Sequence, residues 1–164
     1  MIRSLTSWNS SNPKRWIADQ RRYRKHLTKI ERHLSPALQH FVRDFTLHDV
    51  HISSVQILSG VPSGRDALVT VEVFRDGYVG TAALLVLHLI GIQGAVRKVA
   101  PDLDIMYFDI ERSSKSLFQL SFAFEQKKTW TMKFSAFDFY YHDYRKGVPI
   151  QRGTDNGRAA PRRV

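Results

Sequence analysis

Two His-Asp pairs, His48-Asp49 and His142-Asp143, are the residues of this chain best suited to metal-assisted chemistry. With His51 they could supply imidazole and carboxylate ligands to one ion. Successive side chains of a strand point to opposite faces, so at most one residue of the first pair can join His51 on a side. A metal site is therefore one interpretation, and a histidine hydrogen-bonded at a strand start is the other.

Asp109 and Glu111 alternate along a predicted strand and share one face, which is the minimum for paired-carboxylate chemistry. No partner acid follows at a defined spacing. Charged residues usually lie on solvated faces, so we expect an exposed acidic edge or a salt bridge to the basic N-terminal helix. A metal-dependent hydrolase built from His48, Asp49, Asp109 and Glu111 is one of three functional hypotheses.

Other catalytic and cofactor signatures are missing from the sequence. The chain has no cysteine, which removes thiolate nucleophiles and thiolate zinc ligands. The glycine-containing stretch from Gly60 to Arg65 lacks the Lys-Ser/Thr ending of a phosphate loop. His26, His33 and His40 recur every seven residues, but a proline interrupts the helix that would align them. The sequence therefore predicts no cofactor and a protein that is not an enzyme.

The elements that must position these residues fit into one domain, residues 1–145 of the 164-residue chain. We predict an α+β fold in which two N-terminal helices pack on a largely antiparallel sheet of about five to seven strands. Residues 146–164 are rich in Gly, Pro and Arg without periodicity, so they are predicted to be a disordered basic tail.

Two cap-plus-proline signals predict the helices. Asn12-Pro13 begins a helix that runs to about His33, and Ser35-Pro36 begins a shorter one that runs from Pro36 to Asp44. Apolar side chains at helical spacing predict the buried sides. They are Trp16, Tyr23, Leu27, Ile30 and Leu34 in the first helix, and Leu38, Phe41 and Phe45 in the second.

The rest of the chain reads as strands and turns. The apolar phase shifts within Val50–Leu58 across Ser53-Ser54, which predicts a bulge or bend. Further predicted features are a loop at Gly60–Gly64, a strand at Ala67–Phe74, a tight hairpin at Asp76-Gly77, a central strand or buried helix at Val79–Ile90, strands at Ile105–Glu111 and Leu117–Phe124, and a last hairpin partner with Trp130, Met132 and Phe134.

The net charge of +10 belongs to the two ends of the chain. Residues 1–43 carry ten Lys and Arg against two acids, residues 44–144 carry nine against twelve, and residues 145–164 carry six against one. In the first helix most cations cluster opposite the apolar side. We call this set the basic face, and it consists of Lys14, Arg21, Arg22, Lys25, Lys29 and Arg32.

The start of the chain lacks the apolar core of a secretory signal. Its longest apolar run, Ala82 to Ile92, is shorter than the ~20 residues of a membrane-spanning helix. We therefore expect a cytoplasmic protein without a membrane span.

The order of these signals resembles a family of small bacterial proteins without an assigned activity. Shared features are an Asn/Ser-Pro helix start, a short Pro-started helix, a Leu-His-Asp strand entry and a later Tyr-x-Asp-x-Glu strand. The residues that carry the resemblance are Asn12, Pro13, Trp16, Tyr23, Leu27, Pro36, Leu47, His48, Asp49, Tyr107, Asp109 and Glu111. The resemblance covers roughly residues 7–145. Similar β-rich proteins with a His-Asp strand entry occur among the immunity proteins of bacterial toxin systems. The resemblance implies binding to a protein partner.

The leading hypothesis is a protein-binding factor of the immunity type that covers an acidic surface of a toxin with its basic face. The alternative is a nucleic-acid-binding accessory protein that uses the helix and the tail, since Lys and Arg neutralise phosphates. The sequence does not predict an oligomeric state.

Overall fold

The computed structural model of the chain describes residues 13–45, 47, 50–74, 81–96, 103–124, 128–143 and 151–152. They form an α+β fold, as predicted. The helices are α1 (Pro13–Ile30), which continues into a 3-10 turn (Glu31–His33), and α2 (Pro36–Asp44). The strands are β1 (Val50–Val61), β2 (Gly64–Phe74), β3 (Thr81–Ile90), β4 (Leu103–Arg112), β5 (Phe118–Phe124), β6 (Thr129–Phe134), β7 (Ala136–Asp143) and the two-residue β8 (Gln151–Arg152).

Local sequence signals set the helix ends. The Ser35 side chain accepts a hydrogen bond from the Leu38 amide at 3.3 Å, and Pro36 occupies the first turn, where its missing amide proton costs nothing. The predicted bounds of α2 are therefore confirmed. α1 begins at Pro13 and reaches His33 through its 3-10 turn, which also agrees with the prediction.

One strand prediction is confirmed and another is wrong. Val79–Ile90 supplies the strand β3, which confirms the central-strand prediction over the buried-helix alternative. The predicted Gly60–Gly64 loop is mostly strand, because β1 extends to Val61 and the turn narrows to Pro62 and Ser63. Proline suits the first central position of such a turn, and Gly64 follows with a positive φ of 90°.

Two other predictions fall largely outside the described residues. The predicted Asp76-Gly77 turn lies outside the described residues. The strands before and after it, β2 and β3, pair antiparallel. Of the predicted tail, only Gln151 and Arg152 are described, and they form β8 beside β7. Neither described helix combines the length and apolar character that crossing a membrane requires.

The sheet has the order β6-β5-β4-β1-β2-β3-β7-β8, and neighbouring strands in this order pair antiparallel. It is strongly curled. The Phe41 ring of α2 lies 5.4 Å from Phe108 on β4 and 5.2 Å from Phe137 on β7. In a flat sheet these strands would be separated by about 19 Å, four spacings of ~4.8 Å. The curl therefore brings distant strands onto one helix.

A continuous aromatic and aliphatic core fills the inside of the curl. The predicted core side chains of the last hairpin are all buried, and the rings of Phe122 and Trp130 stack at 5.6 Å. A single residue, Ser135, joins β6 to β7, which lie near opposite ends of the strand order. This connection holds the curl closed at one corner, and α2 packs into the concave side.

Candidate functional site

The basic face of α1 is solvent-exposed along its described length. The side chains of all six predicted cations are exposed, and so is Arg24, which the sequence pattern did not assign to the face. Arg21, Lys25 and Lys29 lie at successive four-residue intervals, so they follow one line along the helix surface. The structure thus presents the predicted partner-binding residues together and accessible.

The other side of α1 is fixed to β4. The His26 ring, through Nε2, is 3.1 Å from the backbone oxygen of Ile110, a contact that spans 84 residues of sequence. Ile30 is buried, and Leu27 is partly buried against the core. The Tyr23 hydroxyl is buried beside Asp109. The helix is therefore anchored on its apolar side, as predicted, although the side chain of Trp16 lies outside the described part of the chain.

Asp109 does not form the exposed acidic edge expected from the sequence. It is only 3% exposed, and it lies next to the Tyr23 hydroxyl beneath α1. Glu111 is half-buried two residues further along β4. The prediction of a solvated edge is wrong for Asp109, because α1 covers this part of the strand.

The electrostatics of Tyr23 follow from this packing. Burial raises the pKa of its hydroxyl above the ordinary value, since the phenolate would lose its hydration. The nearby charge of Asp109 raises that pKa further, and the Ile110 backbone opposes the shift only in part. Tyr23 is therefore a neutral structural anchor over the physiological range.

Of the five residues of the metal interpretation, the structure describes the side chains of His51 and His142. His51, the second residue of β1, has its Nδ1 3.4 Å from Asp104 Oδ1, so it is hydrogen-bonded near a strand start as in the alternative interpretation. His51 pairs with Glu72, Glu72 with Leu84 and Leu84 with His142 across β1, β2, β3 and β7. Three strand spacings, about 14 Å measured along the sheet, separate the two histidine backbones, and neither histidine belongs to a group of three possible ligands among the described residues.

The first His-Asp pair, His48-Asp49, lies outside the described residues, as does the side chain of Asp143. In the part of the chain that the structure describes, no three histidine or carboxylate side chains group closely enough to hold a metal ion. Because His48 and Asp49 are two of the four residues of the hydrolase hypothesis, that hypothesis stays a prediction.

A second polar cluster, absent from the sequence predictions, centres on Asp66 of β2. Its carboxylate accepts hydrogen bonds from the Ser63 hydroxyl and from the Gly91 amide at 3.0 Å, and it lies 2.8 Å from His88 Nε2. Burial would raise the pKa of Asp66, but the three partners together lower it below its ordinary value. Asp66 is thus an ionised anchor that ties the β1-β2 turn to the end of β3.

This cluster contains the residue types of a catalytic triad in the wrong order. In a triad the histidine lies between serine and carboxylate and removes the serine proton. Here the carboxylate lies between Ser63 and His88, so the imidazole is not placed to remove the hydroxyl proton. From the sequence, only the Ser63-Asp66 contact was predictable, because the two residues are three apart at a turn. The contact of Asp66 with His88 depends on the register in which β2 and β3 pair.

The chain matches no protein-family model, no curated protein and no solved structure.

Proposed function

We propose that this protein is a non-enzymatic binding factor that covers an acidic surface of a partner protein with the basic face of α1. The resemblance to immunity-type proteins makes a bacterial toxin the partner class to test first. One observation carries the proposal: the predicted cations are all exposed on a helix whose opposite side is packed on β4.

The basic face is unfavourable for the helix itself. Like charges four residues apart destabilise a helix by roughly 0.2–0.5 kcal/mol per pair. Arg21 and Lys25 form one such pair, and Lys25 and Lys29 form another. In the described part of the chain none of the three is in a salt bridge that would offset this repulsion. The repulsion among these three exposed residues lowers the stability of the helix. It supports a role in binding, because the same charges would attract an acidic partner.

An acidic protein surface fits the shape and chemistry of this face. Complementary charges accelerate association and suppress wrong partners, and the effect is strongest when the charges are held in fixed positions. The contacts of Tyr23 and His26 with β4 hold α1 in one orientation. The cations therefore meet a partner as a preorganised row.

Nucleic acid is the competing partner for the same cations. Proteins that bind single strands add aromatic side chains on which bases stack. Tyr23, the aromatic residue of α1 whose side chain is described, buries its hydroxyl against β4. This arrangement favours the protein partner, and the salt dependence of binding distinguishes the two.

The test compares two triple variants with equal changes of net charge. Arg21→Glu, Lys25→Glu and Lys29→Glu together reverse the basic face, whereas Lys115→Glu, Lys128→Glu and Lys133→Glu reverse three exposed cations elsewhere. Each protein is used as bait, the product of the adjacent gene is tested first, and affinity for the purified partner is measured by calorimetry. Circular dichroism checks that each variant is folded.

We expect the basic-face variant to lose at least about 100-fold in affinity, or about 2.7 kcal/mol, while the control variant stays within a few-fold of wild type. If the partner is a toxin, co-expression of wild type, but not of the basic-face variant, should restore growth. Equal affinity of the two triple variants would reject the proposal. Binding of a DNA duplex of about 20 base pairs with a steep salt dependence, and no protein capture, would favour the nucleic-acid alternative.

A further inference from the structure

The basic face ends beside a histidine that has two cationic neighbours. His33 is the last residue of the 3-10 turn that follows α1, and its side chain is exposed. Arg32, the last cation of the basic face, donates a hydrogen bond from its Nε to His33 Nε2 at 3.3 Å. Arg112, at the end of β4, is the second cation whose charge acts on the imidazole. Both neighbours therefore oppose the addition of a proton to the ring.

Two backbone oxygens hold the Arg112 side chain in place. Its Nε donates to the oxygen of Ser114 at 3.1 Å, and a terminal nitrogen donates to the oxygen of Lys115 at 3.2 Å. A planar guanidinium that uses two donors on one turn has little freedom to move. The positive charge that acts on His33 from β4 is therefore fixed in position.

The contact with Arg32 indicates the protonation state of His33 in the free protein. A guanidinium has donors and no acceptor, so the ring nitrogen that it contacts is unprotonated. Desolvation is the first cause that lowers the pKa of His33 below its ordinary value of 6.5, and the charges of Arg112 and Arg32 lower it further. His33 is therefore a neutral proton acceptor among cations at physiological pH.

The acidic residue of the same turn acts on a different group. A hydrogen bond to Asp44 is the main reason why the pKa of Arg43 on α2 is raised, and the charge of Glu31 contributes to that shift. Within the described part of the chain, the charges that act on His33 are those of its two cationic neighbours. A carboxylate supplied by a partner would therefore reverse the sign of the charge around this ring.

We infer that His33 takes up a proton when the basic face binds an acidic partner, so that binding tightens as pH falls. This inference rests on the proposed function. A carboxylate placed between Arg32 and His33 can accept from the guanidinium and from a protonated imidazole at once, and such charge-assisted hydrogen bonds are strong. Protonation is what converts Nε2 from an acceptor into a donor. Binding of the acid and binding of the proton therefore promote each other to the same extent.

The expected size of the effect follows from the charge that the partner supplies. An opposite charge within about 4–6 Å favours a protonated imidazole by at least about 10-fold. Solvent screens an exposed pair, so we take the lower end of this range. Over the pH range in which a histidine titrates, the affinity for an acidic ligand should then rise at least about 3-fold from about pH 8 to about pH 6.

The probe is an N-terminally acetylated peptide of about ten aspartates, which has no group that titrates between about pH 6 and 8. Calorimetry measures its affinity for the full chain at both pH values. His33→Gln keeps an acceptor for Arg32 but cannot take up a proton, so we expect this variant to lose most of the pH dependence. His40→Gln is the matched control, because it removes a partly exposed histidine of α2, and it should retain the pH dependence.

Nuclear magnetic resonance provides a second measurement that needs no substitution. The imidazole signal of His33 reports its titration directly, and the midpoint should move to higher pH when the aspartate peptide is added. The same experiment on His33 in the peptide-free chain should give a midpoint below the ordinary value.

Two results would overturn the inference and leave the proposed function in place. One is an equal pH dependence of wild type and His33→Gln, and the other is an unchanged His33 midpoint at saturating peptide. Absence of peptide binding at about pH 6 would also overturn the inference, whereas capture of an intact partner would still decide the proposed function. Peptide binding that reversal of Arg21, Lys25 and Lys29 does not weaken would reject the proposed function, and the inference with it.

Discussion

Replacing Lys25 by glutamate should make the protein more stable while weakening the binding proposed for α1. Lys25 lies four residues from both Arg21 and Lys29, so one substitution converts two repulsive pairs into two attractive ones. Each pair changes by roughly 0.4–1 kcal/mol, twice the value of a single i,i+4 charge pair. The pair of Arg21 with the new glutamate would be the weaker of the two, because its cation precedes the acid along the helix. We therefore expect the free energy of unfolding to rise by about 1 kcal/mol in total.

Thermal unfolding measures this gain. For a chain of this length, about 1 kcal/mol corresponds to a rise in Tm of roughly 2–4 °C. Lys115→Glu is the matched control, because it changes the net charge equally at an exposed site in a turn. The difference between the two variants isolates the charge pattern of α1 from the total charge. Added salt should reduce the difference, since the charges are exposed.

Two results would refute this reasoning. If Lys25→Glu unfolds at or below the temperature of Lys115→Glu, repulsion along α1 does not cost stability, and the argument that the charges are kept for binding fails. If the variant is stabilised but binds the purified partner as tightly as wild type, the basic face is not the contact surface. A rise in Tm with weaker binding is the only combination that both arguments predict.

Three further predictions concern Tyr23, Asp66 and Gly91. Because the folded state raises the pKa of Tyr23, the stability that this residue contributes is present below pH 10 and is lost as pH rises above it. Between about pH 10 and 11, the free energy of unfolding of wild type, measured in urea, should fall by up to about 1.4 kcal/mol per pH unit more than that of Tyr23→Phe. Asp66 has a lowered pKa, so its effect on stability runs the other way with pH. At pH 7 wild type should be more stable than Asp66→Asn by about 1–2 kcal/mol. This difference should disappear as pH falls through the folded-state pKa of the carboxyl, which lies below its ordinary value of 3.8. Gly91→Ala should lower Tm more than Gly94→Ala, since both positions have positive φ but only the new methyl at Gly91 meets Ser135. Equal losses at the two glycines would show that backbone strain alone decides.

Elements defined by neighbouring residues were predictable. The Ser35-Pro36 cap indicated the start of α2, and the apolar phase shift at Ser53-Ser54 indicated the bulge of β1. Alternation in β5 and β6 identified their buried face, because a strand with one solvated side repeats every two residues. These signals act over a few residues and do not depend on the tertiary structure.

Features that depend on register and topology were not predictable. Asp66 and His88 meet only because β2 and β3 pair in one particular register. Asp109 is buried only because α1 returns to cover β4, and no local pattern distinguishes a covered acid from a solvated one. The exposure of the basic face was easier to predict, because the outer side of an amphipathic helix follows from the sequence once its apolar side packs on a core.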